Sequence, residues 1–244
     1  MRWKGTCAYD GTRFDGWQSQ SSRNGVQDVI EHQLQRIFKR PIRIHGSSRT
    51  DAGVHAEEQV FHFDADWPHG SDILKKAVSS GLPSDLQVLH IEPISEVFHA
   101  RYSALKKRYR YDIRLGPSDP FESRYVWSLN PRRLSHFENL QECARAFVGT
   151  HNFSAFAGKI YPREKTLKTL YRLEVETDKN RIRIHTEGNG YLYRMVRILV
   201  GVLVEAGQGR WSPETLSLRL KNGPPRVPTT PAPAHGLFLE KIIY

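Results

Sequence analysis

The chain has 244 residues, long enough to bury a full core in one large domain or two modest ones. Its two cysteines, Cys7 and Cys143, stand singly and far apart, which excludes a disulfide framework and the paired spacing of a zinc site; both read as buried reduced thiols. The formal charge is +10, and it is uneven: residues 1–105 carry 12 basic and 13 acidic side chains, the rest 24 and 13. A merely solubilising charge would be spread along the chain, so its concentration in one half points to a polyanionic partner. With no basic amphipathic helix in sight, nucleic acid is favoured over a membrane surface. The start, Met1-Arg2-Trp3-Lys4, leads into no apolar stretch, and the apolar run at 198–204 is far too short to span a bilayer. A cytoplasmic location is the expectation.

In chain order, residues 2–9 read as a strand. Val26, Val29, Ile30, Leu34 and Ile37 recur at helical spacing and predict a helix over 26–38. Ile42 and Ile44 alternate in a short strand, and 59–64 makes another. Ser71 is placed to cap a helix running to 79, and 86–91 reads as a strand ending before Pro93. The order is βαββαβ. The second half repeats it. Residues 108–115 alternate strictly, with Tyr109, Tyr111, Ile113 and Leu115 on one face and Arg108, Arg110, Asp112 and Arg114 on the other. A helix is predicted over 134–147. Strands at 169–176 and 181–185 flank the turn Asp178-Lys179-Asn180. A helix over 191–205, a short one from Ser212-Pro213 and a closing strand over 237–243 complete the unit. The five prolines of residues 221–236 read as a surface connection.

Two such units in tandem predict an α+β protein of ferredoxin-like, RNA-recognition-type halves with antiparallel sheets. The expected division is a domain over 1–105 and a basic domain over 106–244. RNA-recognition modules use the open face of such a sheet to lay out bases.

One segment stands apart: Ser48-Arg49-Thr50-Asp51-Ala52-Gly53-Val54-His55-Ala56. It falls in a loop between two predicted strands, where Asp and Gly are ordinary turn residues, and spacing alone would read it as a plain turn. Two features weigh the other way. Small neighbours let another molecule approach closely, and a guanidinium beside a carboxylate favours its charged form.

Arg49 through Ala56 resembles the signature of the TruA family of tRNA pseudouridine synthases. Tyr9-Asp10-Gly11 with Gly16-Trp17-Gln18 and Val26-Gln27 resembles the family's opening motif. Phe98-His99-Ala100-Arg101 and Lys107-Arg108-Tyr109-Arg110-Tyr111 resemble its middle. His151-Asn152-Phe153, Met195-Val196-Arg197 with Gly201, and Gly236-Leu237-Phe238-Leu239 resemble its second half. The blocks are collinear and span nearly the whole chain. Departures are Ser48 in place of a usual glycine, Arg194 in place of a usual histidine, and a missing asparagine before Leu82-Pro83.

The resemblance implies the pseudouridine synthase fold, tRNA as partner, a homodimer, and no cofactor or metal. The implied activity is isomerisation of uridine in the anticodon stem–loop, at tRNA positions 38 to 40 in the bacterial branch. It implies Asp51 as the catalytic group, Arg49 in displacing the base, Tyr109 stacking on the uracil, Arg197 as an ion-pair partner of Asp51, and Leu237 packing by the base. From the residues alone, Tyr109 reads as one member of a buried strand face with Tyr111 and Ile113, and for Leu237 a core leucine is nearly as good a reading. Arg197, inside an apolar helix run, calls for a counter-charge.

Three rivals stand beside this reading, one of them the same enzyme acting on ribosomal RNA or on other tRNA sites. His55-Ala56-Glu57 fits half of a zinc deaminase motif, but neither cysteine supplies the required Cys-x-x-Cys pair. A non-catalytic RNA-binding protein would explain duplicated sheets and the basic half by binding alone.

Overall fold

The computed structural model describes residues 1–223 and 225–244. The fold is mixed α+β, with mostly antiparallel strand pairs. Two compact units form: residues 1–105 with 238–244, and residues 106–237.

In the first unit, β1 (Arg2–Tyr9), α1 (Val26–Phe38), β2 (His45–Gly46), β3 (His55–Asp64), α2 (Ser71–Ser79) and β4 (Leu86–Ile94) follow in turn. The second holds β5 (Lys106–Leu115), β6 (Trp127–Leu129), α3 (Phe137–Ala146), β7 (Gly149–Asn152), β8 (Leu167–Asp178), β9 (Arg181–Gly188), α4 (Met195–Gly207) and α5 (Pro213–Asn222). Strand β10 (Leu237–Ile243) closes the chain.

In unit 1 the strand order is β4-β1-β3-β10, with β2 beside β3. Every second residue of β1 is buried, so Trp3, Cys7 and Tyr9 share the core face. Val26, Ile30 and Leu34 of α1 and Leu74 and Val78 of α2 are fully buried, the apolar stripes expected of amphipathic helices. Trp17, Phe61 and Phe63 fill the space between such elements.

Four local expectations need correction here. Residues 42–44 are not a strand, although Ile42 and Ile44 are both buried. The Ile44 amide donates to Glu31 Oε1 at 2.9 Å and its carbonyl accepts from Gln27 Nε2 at 3.2 Å, so side chains of α1 replace a ladder. Strand β3 starts at His55 rather than 59. Gly70, in the left-handed region at φ 80°, precedes α2, so Ser71 is its first residue and not its cap. Strand β4 runs through Pro93, which is tolerated because β4 lies at the sheet edge.

Unit 2 is ordered β5-β9-β8-β7, with β6 parallel to β5. Strands β5 and β9 pair from Lys107↔Gly188 to Arg114↔Arg181. The expected alternation of β5 holds at Tyr109, Tyr111 and Ile113, all buried; Asp112, on the opposite face, is buried too because Arg110 and Arg183 pair with it at 2.9 and 3.3 Å. The helix expected over 134–147 is shorter. Asn130 and Pro131 start a separate 3-10 turn, and the His136 amide donates to the Gly207 carbonyl, so regular helix begins only at Phe137. The helix expected from 191 begins at Met195, since Arg194 is left-handed at φ 57°. Strands β6 and β7 were not expected. Residues 238–244, expected at the end of the second half, group with unit 1 because Phe238 and Leu239 run parallel to His55 and Ala56 of β3. Of the connection 221–236, Pro224 lies outside the described residues. Val227 and Ala232 are buried, so part of it is packed rather than a surface link.

Candidate active site

The Asp51 loop joins β2 to β3 in unit 1. The Val54 amide donates to the Asp51 carbonyl at 3.2 Å, closing a four-residue turn with Gly53 at φ 78°. A positive φ at the third position is the mark of a type II turn and explains the glycine. The Asp51 side chain is half-buried, Arg49 is exposed, and Ser48 and Thr50 between and beside them are buried.

The loop is held from behind by the opening motif. The Trp17 amide donates to the Thr50 carbonyl at 3.1 Å, and the Tyr9 hydroxyl meets Thr50 Oγ1 at 2.8 Å. Gly16, at φ 85°, presses its backbone so close that a Cβ would sit 2.5 Å from the Thr50 carbonyl oxygen. Gly11 lies as tightly against Val54, and its amide donates to His55 Nδ1 at 3.0 Å. On the other flank, fully buried Gln59 clamps Ser48, accepting from its amide at 3.1 Å and donating to its carbonyl at 2.7 Å. Every backbone anchor lies within a few residues of Asp51, which fixes the carboxylate on a rigid base.

Unit 2 carries Tyr109, Arg197 and Leu237. Tyr109, on β5, is buried with its ring edge-on to Tyr191 at 5.2 Å. The Tyr191 hydroxyl meets Thr186 Oγ1 at 3.0 Å, and burial pushes its phenol well above the usual range, keeping it neutral. Arg197, on the first turn of α4, donates from Nε to the Ala232 carbonyl at 2.7 Å, while the Ala232 amide returns a bond to the Arg197 carbonyl at 2.9 Å. Tyr111 ties the same stretch to β5 through its hydroxyl, which donates to the Pro233 carbonyl at 2.8 Å. Burial pushes the Tyr111 phenol up, partly offset by the positive charge of Arg197. Burial and that same charge push His235 down, so both groups feel the guanidinium. Leu237 follows directly and is buried.

Among the described residues no group of three or more His, Cys, Asp or Glu is arranged to hold a metal ion. His45, His62 and His99 do cluster, with rings 4.6 to 5.7 Å apart. Two of the three lone pairs are spent otherwise: His62 Nδ1 accepts from the Ala100 amide, and His99 Nδ1 from the Arg101 amide.

Comparison with known proteins decides the family. A model described as tRNA pseudouridine synthase matches residues 6–103 and 143–244. The chain belongs to the tRNA pseudouridine synthase family. It is 38% identical, over 97% of its length, to tRNA pseudouridine synthase A of Chlamydia muridarum, of which it covers 90%. The namesake in Geobacillus kaustophilus is 38% identical over 100% of this chain and 95% of that protein, and the one in Staphylococcus carnosus is 40% identical over 96% and 88%. Within the synthase match fall Arg49, Asp51, Arg197 and Leu237, whereas Tyr109 lies in the stretch between the two matched segments.

Sequence reasoning gave no role to Gln59, or to Tyr9, Gly11 and Gly16 beyond a motif. The spacing of two glycines ahead of a tryptophan, in a segment with no periodicity, was the available signal for a loop that supports another loop.

Proposed function

We propose that this chain isomerises uridine to pseudouridine in tRNA, within the anticodon stem–loop, using Asp51 and no cofactor. The reaction breaks the N1–C1′ bond, turns the uracil and rejoins it through C5. A proton leaves C5, N1 gains one, and no net oxidation occurs. The protein must therefore supply a carboxylate near C1′, a means of extruding the base, and a pocket that holds it during rotation.

We assign these roles to named residues. Asp51 assists cleavage of the glycosidic bond. Arg49, exposed on the same loop, takes the place of the extruded base in the stack. Tyr109 stacks on the uracil, Leu237 packs against it, and Arg197 supplies the counter-charge that keeps a carboxylate ionised. The rigid turn presenting Asp51, in a chain of this family, is the observation that carries the proposal. We read the chain as two tandem βαββαβ copies, the second taking β10 as its closing strand although β10 groups with unit 1, and enlarged by β6, β7 and α5. We further propose a cytoplasmic homodimer; no helix among the described residues is long and apolar enough to cross a membrane.

The concentration of basic residues after 105 favours, as a second reading, a protein that only binds RNA. Tritium at uridine C5 separates the two. Release of label from C5-tritiated tRNA by the purified protein alone is the expected result, and retention of all label with the tRNA bound would leave only binding.

A further inference from the structure

A second feature of unit 1 sits beside the Asp51 loop. A cleft of about 280 Å³ is lined by Arg43, His45, Arg49, His99, Arg101 and Tyr102 among others, and no carboxylate lines it. That is notable in a half of the chain whose basic and acidic residues nearly cancel. Arg43 is engaged by Glu31 at 3.1 Å, whereas Arg49 and Arg101 make no salt bridge among the described residues. The larger cleft of about 700 Å³ against α1 shares Arg43 but neutralises itself, with Asp28 and Glu31 among its own lining and Arg23 3.9 Å from Asp28.

The aromatic side of the cleft is rigidly presented. The amides of Arg101 and Tyr102 both donate to His99 Nδ1, at 3.1 and 3.4 Å, and Ser103 closes the turn onto the His99 carbonyl at 2.9 Å. Tyr102 nevertheless stays 77% exposed, its ring 4.3 Å from that of His99 and with the Arg101 guanidinium 5.7 Å from its centroid. A large aromatic held out in water on a locked turn, next to unpaired guanidinium groups, matches what an unstacked nucleotide needs: a platform for the base and cations for its phosphate. An acidic peptide would satisfy the arginines but make no use of the stacking face.

We propose that this cleft binds a nucleotide neighbouring the target uridine, its phosphate on Arg101 and its base against Tyr102, while Arg49 lines the cleft on the side of the vacated stack. The proposal rests on the reading of the chain as a tRNA-modifying enzyme, and extends it by naming where the strand beside the extruded base is held. Holding that neighbour would keep the stack open while the uracil turns.

The test is equilibrium binding of an unmodified tRNA transcript by the full chain carrying Asp51→Asn, across a salt series. Adding Arg101→Ala should weaken binding about 5- to 10-fold and lower the slope of log affinity against log salt by about one. Tyr102→Ala should weaken it about 5-fold or more with the slope unchanged, and Tyr102→Phe should restore it. Thermal midpoints matching the parent would show that each variant is folded. Affinity and slope within experimental error of the parent for both alanine variants would overturn the proposal, as would displacement of the tRNA by polyglutamate at equal charge. The measurement needs no turnover, so the two failures are distinguishable: absence of pseudouridine from the wild type would retire the catalytic reading and the target uridine with it, whereas unchanged affinities would retire nucleotide binding in this cleft.

Discussion

Asp51 owes its setting to residues that never need to touch a substrate. Gly53 supplies the positive φ of the turn, and Gln59 satisfies both backbone groups of buried Ser48. Replacing Gln59 with leucine keeps the volume but strands that amide and carbonyl, so a stability loss of about 1–3 kcal/mol is expected by urea denaturation. His62 gives a second residue-scale prediction. Burial, then the neighbouring charges of His99, His45 and Arg2, lower its pKa from 6.5 to about 4. Between those values the unfolded chain binds a proton that the folded chain refuses. The associated stability is complete above about pH 6.5 and falls away as pH drops towards 4, by roughly 3 kcal/mol at most. His62→Gln retains an acceptor for the Ala100 amide and should flatten the pH dependence of the denaturation midpoint in that window. An equal slope in the variant would show that other groups carry it.

At the scale of elements, periodicity was informative wherever one face of a regular element meets the core. Strand β1, helix α1 and strand β10 keep the bounds expected from their alternation or helical spacing. It failed where side chains substitute for backbone pairing, as at Ile44, and where a left-handed residue stops a helix, as at Arg194. Short β7 is built from Gly149, Thr150, His151 and Asn152, polar residues with no alternation to read. The Asp51 loop was legible only as a motif, because its support comes from Gly16 and Tyr9, more than 30 residues away and without a shared period. That support is testable as a unit. Gly16→Ala would drive a Cβ into the Thr50 carbonyl at a backbone angle that alanine resists, at about 1–3 kcal/mol. We expect a well-folded protein whose kcat/KM on tRNA drops by roughly 100-fold, because the carboxylate shifts with its turn. Wild-type activity in that variant would mean the loop is not held from this side.

Across the whole molecule, charge is the property that the sequence displayed most openly and that no single contact explains. Residues beyond 105 carry 24 basic against 13 acidic side chains, and many of the acidic ones are already paired, as Glu187 is with Lys106 and Arg108. Burial alone would raise the Glu187 carboxyl, but those two cations outweigh it and hold it below the usual range. The excess cations remain for an anionic partner, so tRNA affinity should fall steeply with salt, by about 10³-fold or more between 50 and 200 mM if six or more phosphates are engaged. A flat salt response in a filter-binding series would remove the basic half from the interface.

The central claim, that Asp51 makes this chain a pseudouridine synthase, is met most directly by base-selective chemical mapping of unmodified tRNA. Wild type and Asp51→Asn would be incubated with it side by side, with no added cofactor. New pseudouridine in the anticodon stem–loop is expected from the wild type, and at least about a thousandfold less from the variant despite undiminished tRNA binding. Equal pseudouridine from both proteins, or none from either with the tRNA bound, would contradict the claim.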